Sequence, residues 1–248
     1  LKLCIQRNSM KMVGITRLQN FFHELLSTYK IHRRLPINRS YDQLQDITLL
    51  DNDVVGVIED LASNKIYIEG NAILLDGHQG ANIENGILYN ANGMNIGVYS
   101  NYVKLKTITI PNHFSKLESW TTSKVCNDKI LIGGVDEGRW QILVYDINDL
   151  TKYEYKIDTK EDYKDMILQG LYYRDGNVYV CGHSKKKNDI VTKYDTQSNL
   201  LLKQELKYLL QVTNEVEGIY VKDDYIYCGL IVNGGITRPQ LIVKIKDR

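Results

Sequence analysis

The sequence predicts an all-β protein, a β-propeller of about five four-stranded blades with a short N-terminal α-helix. Three observations carry this: one strand recurs with the same exit, a second recurs behind it, and a Gln/Glu-Gly opening recurs ahead of both. The first strand reads DGNVYVCG over Asp175 to Gly182 and returns as DDYIYCG over Asp223 to Gly229. It is written again as NDKILIGG at 127–134, NKIYIEG at 64–70 and, more loosely, NGILYNA at 85–91. Each copy is a turn-forming Asn, Asp or Gly leading into alternating aliphatic and tyrosine residues, and each ends on a small residue. The closing glycines Gly134, Gly182 and Gly229 stand about 47 residues apart, a period that belongs to solenoids and propellers.

The second strand appears as MNIGVYSN, WQILVYDIND, DIVTKYDTQSN and PQLIVKIKD. Tyr99, Tyr145 and Tyr194 each stand immediately before a Ser or Asp turn, so strand and turn repeat together. Ahead of the pair come HQGANI, LQGLYY, VEGIYV and the degenerate LESWTT, read as inner strands; NLLLKQEL and YVKLKTITI supply outer ones. Four strands in roughly 45 residues make a propeller blade. The chain closes on PQLIVKIKD with no outer strand after it, so an N-terminal strand is expected to complete the last blade, with DITLLD (46–51) or VVGVIED (54–60) as candidates. NKIYIEG with AILL provides strands for a further blade.

Residues 1–45 are expected to form a separate helical segment before the propeller of 46–248. Over Thr16 to Leu35, Thr16 and Gln19 make a capping-box pattern, Leu18, Phe21, Phe22, Leu25, Leu26 and Tyr29 recur at helical spacing, and Pro36 stops the run. His32, Arg33 and Arg34 are read as its solvated C-terminal end.

Composition narrows the function classes. A net charge of +1 leaves no electrostatic footprint for nucleic acid or an anionic membrane. No apolar run approaches the roughly 20 residues that span a bilayer, and the opening LKLCIQRNSMKMVG lacks the apolar core and cleavage site of a signal peptide. Cys4, Cys126, Cys181 and Cys228 have no metal-site spacing and read as buried thiols of a chain folded in a reducing cytosol. No metal and no cofactor is expected. The 18 tyrosines against 3 phenylalanines suit half-buried strand positions and surfaces that stack on sugars.

Inner strands of a propeller surround a central channel, where residues from separate repeats converge. The candidate ligand-binding residues at its mouth are therefore Gln79, Glu118, Gln169 and Glu217, with Asp76, His78 and Trp120 beside them and Tyr172 as a second stacking ring. Glutamine in several repeats suits hydrogen bonding to hydroxyls better than proton transfer, so no catalytic residue is assigned. The same side chains would equally serve to bind neighbouring blades to one another. A lone His78 has no second histidine at ligand spacing, and no nucleophile elbow or phosphate-binding glycine loop is present.

With LQGLYYRDGNVYVCG, ILVYD and VEGIYVKDDYIYCG in view, residues 77–248 resemble the propeller of receptor-binding tail or baseplate proteins from phages of low-GC Gram-positive bacteria. The resemblance implies attachment to a cell-wall glycopolymer such as teichoic acid, a homotrimer or other tail proteins as partners, and a place in the virion after folding in the host cytoplasm. It assigns no individual binding residue. Two other readings stand beside it: a glycan-active hydrolase or lyase, and a cytosolic protein-interaction propeller that works through a broad face.

Overall fold

The computed structural model describes residues 30–35, 42–60, 65–69, 71–74, 80–162, 164–184, 188–206, 213–233 and 240–247. They form five antiparallel four-stranded sheets. The first blade is β2 (Asp42–Leu50), β3 (Asp53–Asp60), β4 (Lys65–Ile68) and β5 (Asn71–Leu74); the second is β6 (Ala81–Glu84), β7 (Ile87–Asn92), β8 (Asn95–Ser100) and β9 (Val103–Thr109). The third is β10 (Leu117–Cys126), β11 (Lys129–Asp136), β12 (Arg139–Asp146) and β13 (Tyr155–Asp162); the fourth is β14 (Met166–Arg174), β15 (Asn177–Ser184), β16 (Asp189–Asp195) and β17 (Leu200–Leu206). The fifth is β18 (Thr213–Lys222), β19 (Tyr225–Asn233) and β20 (Gln240–Lys246), with β1 (Lys30–Leu35) as its outer strand. The inner strands β2, β6, β10, β14 and β18 each contact the next, and β18 meets β2, so the ring is closed.

The turn residues explain the regularity. Each inner strand passes to the second strand through a two-residue hairpin at Asp51-Asn52, Asn85-Gly86, Asn127-Asp128, Asp175-Gly176 or Asp223-Asp224. In the first four of these both residues have positive φ, from 46° to 76°, the geometry that matches strand twist and that Asn, Asp and Gly adopt at least cost. All five hairpins lie at one end of the ring, the hairpin end. The inner and third strands start, and the second and outer strands end, at the opposite end, the loop end.

Ring closure follows the expected device with a different segment. Strand β1 pairs antiparallel with β20, from Lys30↔Lys244 to Leu35↔Gln240, so the N-terminal strand supplies the missing outer edge. The segments 46–51 and 54–60, proposed above for that role, are instead the inner and second strands of the first blade, and NKIYIEG is its third strand rather than its second. Of the expected helix, residues 16–29 lie outside the described residues, while 30–35 are extended. His32 bonds Asp53 at 3.0 Å and Arg33 reaches Glu69 at 3.1 Å, both on the first blade, so the seam is tied across to its neighbour.

Apolar faces between blades form the core. Tyr99, Tyr145 and Tyr194, the tyrosines that end the third strands, are all buried. Tyr194 donates its hydroxyl to the Thr159 carbonyl of the preceding blade at 3.1 Å, and the Trp140 indole N–H donates to the Met166 carbonyl of the following one at 2.8 Å. Cys126, Cys181 and Cys228 are buried free thiols on these faces. Burial pushes the Cys126 thiol up to about 12, which suits an inert packing residue.

The glycine of the recurring opening has a steric cause. A Cβ at Gly218 would lie 2.7 Å from the Asp46 Cα and 2.8 Å from the Ile47 nitrogen, backbone of the adjacent inner strand that has no room to retreat. Gly218→Ala is expected to lower stability by about 1–3 kcal/mol, read as a drop in urea midpoint; an unchanged midpoint would show that the inner strands can separate.

Candidate functional site

Counting back along each inner strand from its hairpin aligns the five repeats. Gln45, Gln169 and Glu217 occupy the same place, each at a β-bulge where the register slips, between Leu44 and Asp46, Leu168 and Gly170, and Val216 and Gly218. The extra residue is left out of the ladder and its side chain is re-aimed. All three are buried near the loop end of the channel. The third blade places Thr121 there, after two slips in register, so Glu118 is not the counterpart of the glutamines. Its carboxylate pairs instead with Lys116 at 3.2 Å.

The structure therefore gathers part of the expected set. Gln169 and Glu217 come together, with Gln169 Nε2 donating to Glu215 Oε1 at 3.4 Å across the blade boundary. Asp76, His78 and Gln79 lie outside the described residues, and Trp120 sits on β10 with its side chain outside those described. Tyr172 stands three residues further along β14, about 10 Å toward the hairpin end. It belongs to a different cluster.

At the loop end the chemistry centres on Glu217. Its side chain is 2% exposed, and Oε1 has no hydrogen-bond partner among the described residues. Burial pushes its carboxyl up to about 9, helped by the negative charges of Glu215, Asp189 and Asp46 and opposed by a bond from Gln43. At neutral pH it is a carboxylic acid, able to donate as well as accept. Asp189 is the fixed neighbour: its Oδ1 bonds the His183 ring at 2.8 Å, and its Oδ2 accepts from the Val216 N–H at 2.9 Å.

Midway along the channel, side chains of non-adjacent blades meet. Lys124 of the third blade reaches to the first, where its Nζ lies 2.7 Å from Asp46 Oδ2 and 3.0 Å from the Ile47 carbonyl; the two charged side chains are 1% and 3% exposed. Burial raises the Asp46 carboxyl above the usual range, with Lys124 and the Ile47 N–H pulling the other way. Thr48 donates to Asn82 Oδ1 at 2.9 Å in the same layer. Tyr172 and Tyr220 take the same place on their strands, with two residues between each and the hairpin.

At the hairpin end, Tyr172 and Tyr220 pack with ring centroids 4.7 Å apart. Desolvation raises both hydroxyls above their ordinary value. Hairpins of successive blades are clasped there: Asn127 Nδ2 donates to the Tyr173 carbonyl at 2.6 Å, Arg174 Nη1 to the Asp223 carbonyl at 2.8 Å, and Lys222 to Asn52 of the first blade. A cleft of about 560 Å³ opens among them.

Sequence reasoning missed Gln45, Asp46 and Lys124. The signal was present in QDITLLDNDVVGVIED, which aligns with LQGLYYRDGNVYVCG once Gln-Asp is read for Gln-Gly. Lys124 had no signal, since a lysine in a strand pattern reads as solvent-facing.

No family model and no curated protein matches the chain. Among solved structures, a tail fibre of Staphylococcus aureus phage P68 superposes with a TM-score of 0.57 at 15% identity, covering 88% of this chain and 52% of that one. The chain thus spans about half the length of the tail fibre. A glutaminyl cyclase of Myxococcus xanthus superposes with a TM-score of 0.51 at 12% identity, over 88% of this chain and 96% of the other. At such identities the likeness is one of fold, and it establishes the chain as a five-bladed propeller of four-stranded blades.

Proposed function

We propose that this chain is a carbohydrate-binding propeller of the phage receptor-binding kind, which engages a host cell-wall glycopolymer such as teichoic acid at the loop end of its channel. The observation that carries the reading is Glu217. A buried carboxyl with an unmet oxygen, kept neutral by burial and by neighbouring carboxylates, costs stability unless a ligand uses it. Gln45, Gln169 and Glu217 offer donors and acceptors from three blades, the mixture that hydroxyls need. The fold likeness to a staphylococcal phage tail fibre supports a virion role.

The test is sedimentation of the protein on Gram-positive cell walls before and after chemical removal of teichoic acids. Saturable binding is expected, lost on stripping and weakened about tenfold by Gln169→Ala, an effect of about 1.4 kcal/mol. Absence of binding to every wall overturns the reading.

Glu217 also favours a second reading. An acid kept protonated near neutral pH is what a general acid for glycan cleavage requires, and Glu215 lies beside it. Release of reducing ends from the same walls, abolished in Glu217→Gln, would move the protein from binder to hydrolase.

A further inference from the structure

The cleft at the hairpin end is walled by three blades and is unlike the loop-end cluster in charge. Its volume of about 560 Å³ is within the range of small-molecule sites, roughly 300–1,000 Å³. Tyr172 and Tyr220 close its base. The rim carries Asn127 from the third blade, Arg174 and Asp175 from the fourth, and Lys222 and Asp223 from the fifth. These polar groups are already held in place: Arg174 is fixed between Asp175 Oδ2 at 3.1 Å and the Asp223 carbonyl at 2.8 Å, and Lys222 Nζ rests 2.7 Å from Asn52 Oδ1. A rim ordered before a ligand arrives lowers the entropy cost of binding.

We propose that this cleft is a second binding site, separate from the loop-end cluster, and that it takes a neutral saccharide ring. The charges decide the class. The rim carries two cations and two carboxylates, so a phosphate would meet Asp175 and Asp223 and a polyamine would meet Arg174 and Lys222. Sugar hydroxyls donate and accept at once and use both kinds of group. The C–H face of a pyranose then lies over the floor, where the largely buried Tyr172 and Tyr220 leave a small apolar area, and the rim groups supply most of the contact. Tyr172 and Tyr220 stand three residues beyond Gln169 and Glu217 on β14 and β18, about 10 Å away, so a ligand above them in the cleft makes no direct contact with Glu217.

Free saccharides test this without reference to cell walls, so its failure and that of the wall-binding reading are separable. The isotope-labelled protein is titrated with the methyl glycosides of glucose, galactose and N-acetylglucosamine, and with inorganic phosphate as the charged control, while backbone amide shifts are followed. The expected result is saturable movement at Asn127, Tyr173 and Gly176 with at least one sugar and none with phosphate. Asp175→Ala, at an exposed hairpin tip, should weaken that binding at least tenfold with the spectrum otherwise folded, and Lys222→Ala provides an independent second variant. The proposal is overturned if no sugar moves these amides, if the shifts gather at Gln45, Gln169 and Glu217 instead, or if phosphate reproduces them.

Discussion

Lys124→Met is expected to destabilise the protein by about 3–5 kcal/mol, because it strips the counter-charge from the buried Asp46 carboxylate. Both groups are almost wholly enclosed, and Asp46 is also bonded to the Ile47 N–H at 2.7 Å, so it has no exit to water. Chemical unfolding at pH 7 reads the loss directly. The double variant Lys124→Met with Asp46→Leu should recover most of it, since replacing a buried ion pair by apolar side chains of similar volume is often neutral or stabilising. A loss below about 1 kcal/mol in the single variant would mean that water reaches the pair. This interaction joins the first and third blades over the second, so it fixes which inner strands face each other across the axis.

Glu217→Gln is expected to act in the opposite direction. The carboxyl has a folded value of about 9 against an ordinary 4.5, so the unfolded chain releases this proton at a pH where the folded chain still holds it. Its contribution to stability is therefore intact below about pH 4.5 and is lost progressively as the pH rises toward 9. At pH 7 the loss amounts to about 3 kcal/mol, and a glutamine, neutral at every pH and nearly the same shape, does not suffer it. The variant should match the parent in urea at pH 4, exceed it at pH 7 and exceed it further at pH 9. A variant that is weaker than the parent at pH 7, or a gap that does not change with pH, would show that Glu217 is ionised and paired in the folded state. Gain of stability together with loss of wall binding is the pattern of a residue kept for function at the expense of the fold.

Much of the architecture was legible because a propeller repeats its local physics. The Asn, Asp and Gly residues at 51–52, 85–86, 127–128, 175–176 and 223–224 adopt the hairpin backbone whatever surrounds them, and the strands on either side alternate because one face is buried. Residues 30–35 were misread as the end of a helix. Apolar spacing over 16–35 favours a helix in isolation, but KIHRRL has the unpaired edge of β20 to bond with, and tertiary pairing overrides local preference.

The site was legible in part. Gln169 and Glu217 stand out because they precede the glycines that let inner strands approach, and that signal is local. Glu118 was misplaced because the third blade slips register twice, at Leu117/Ser119 and again at Ser119/Thr122, and a shift of one residue changes the face on which every side chain lies. The sequence by itself determined a count of about five blades, the order of inner, second and third strands in the later four, and the closure of the last blade by an N-terminal strand, since these follow from turn chemistry and the period. Only the tertiary structure decided which segment closes the ring, that Lys124 meets Asp46, and that Tyr172 packs on Tyr220 at a different level of the channel from Glu217. Those outcomes depend on contacts between residues far apart in the chain, such as Lys124 with Asp46, 78 positions away, and Lys30 with Lys244, and no local pattern encodes the distance between them.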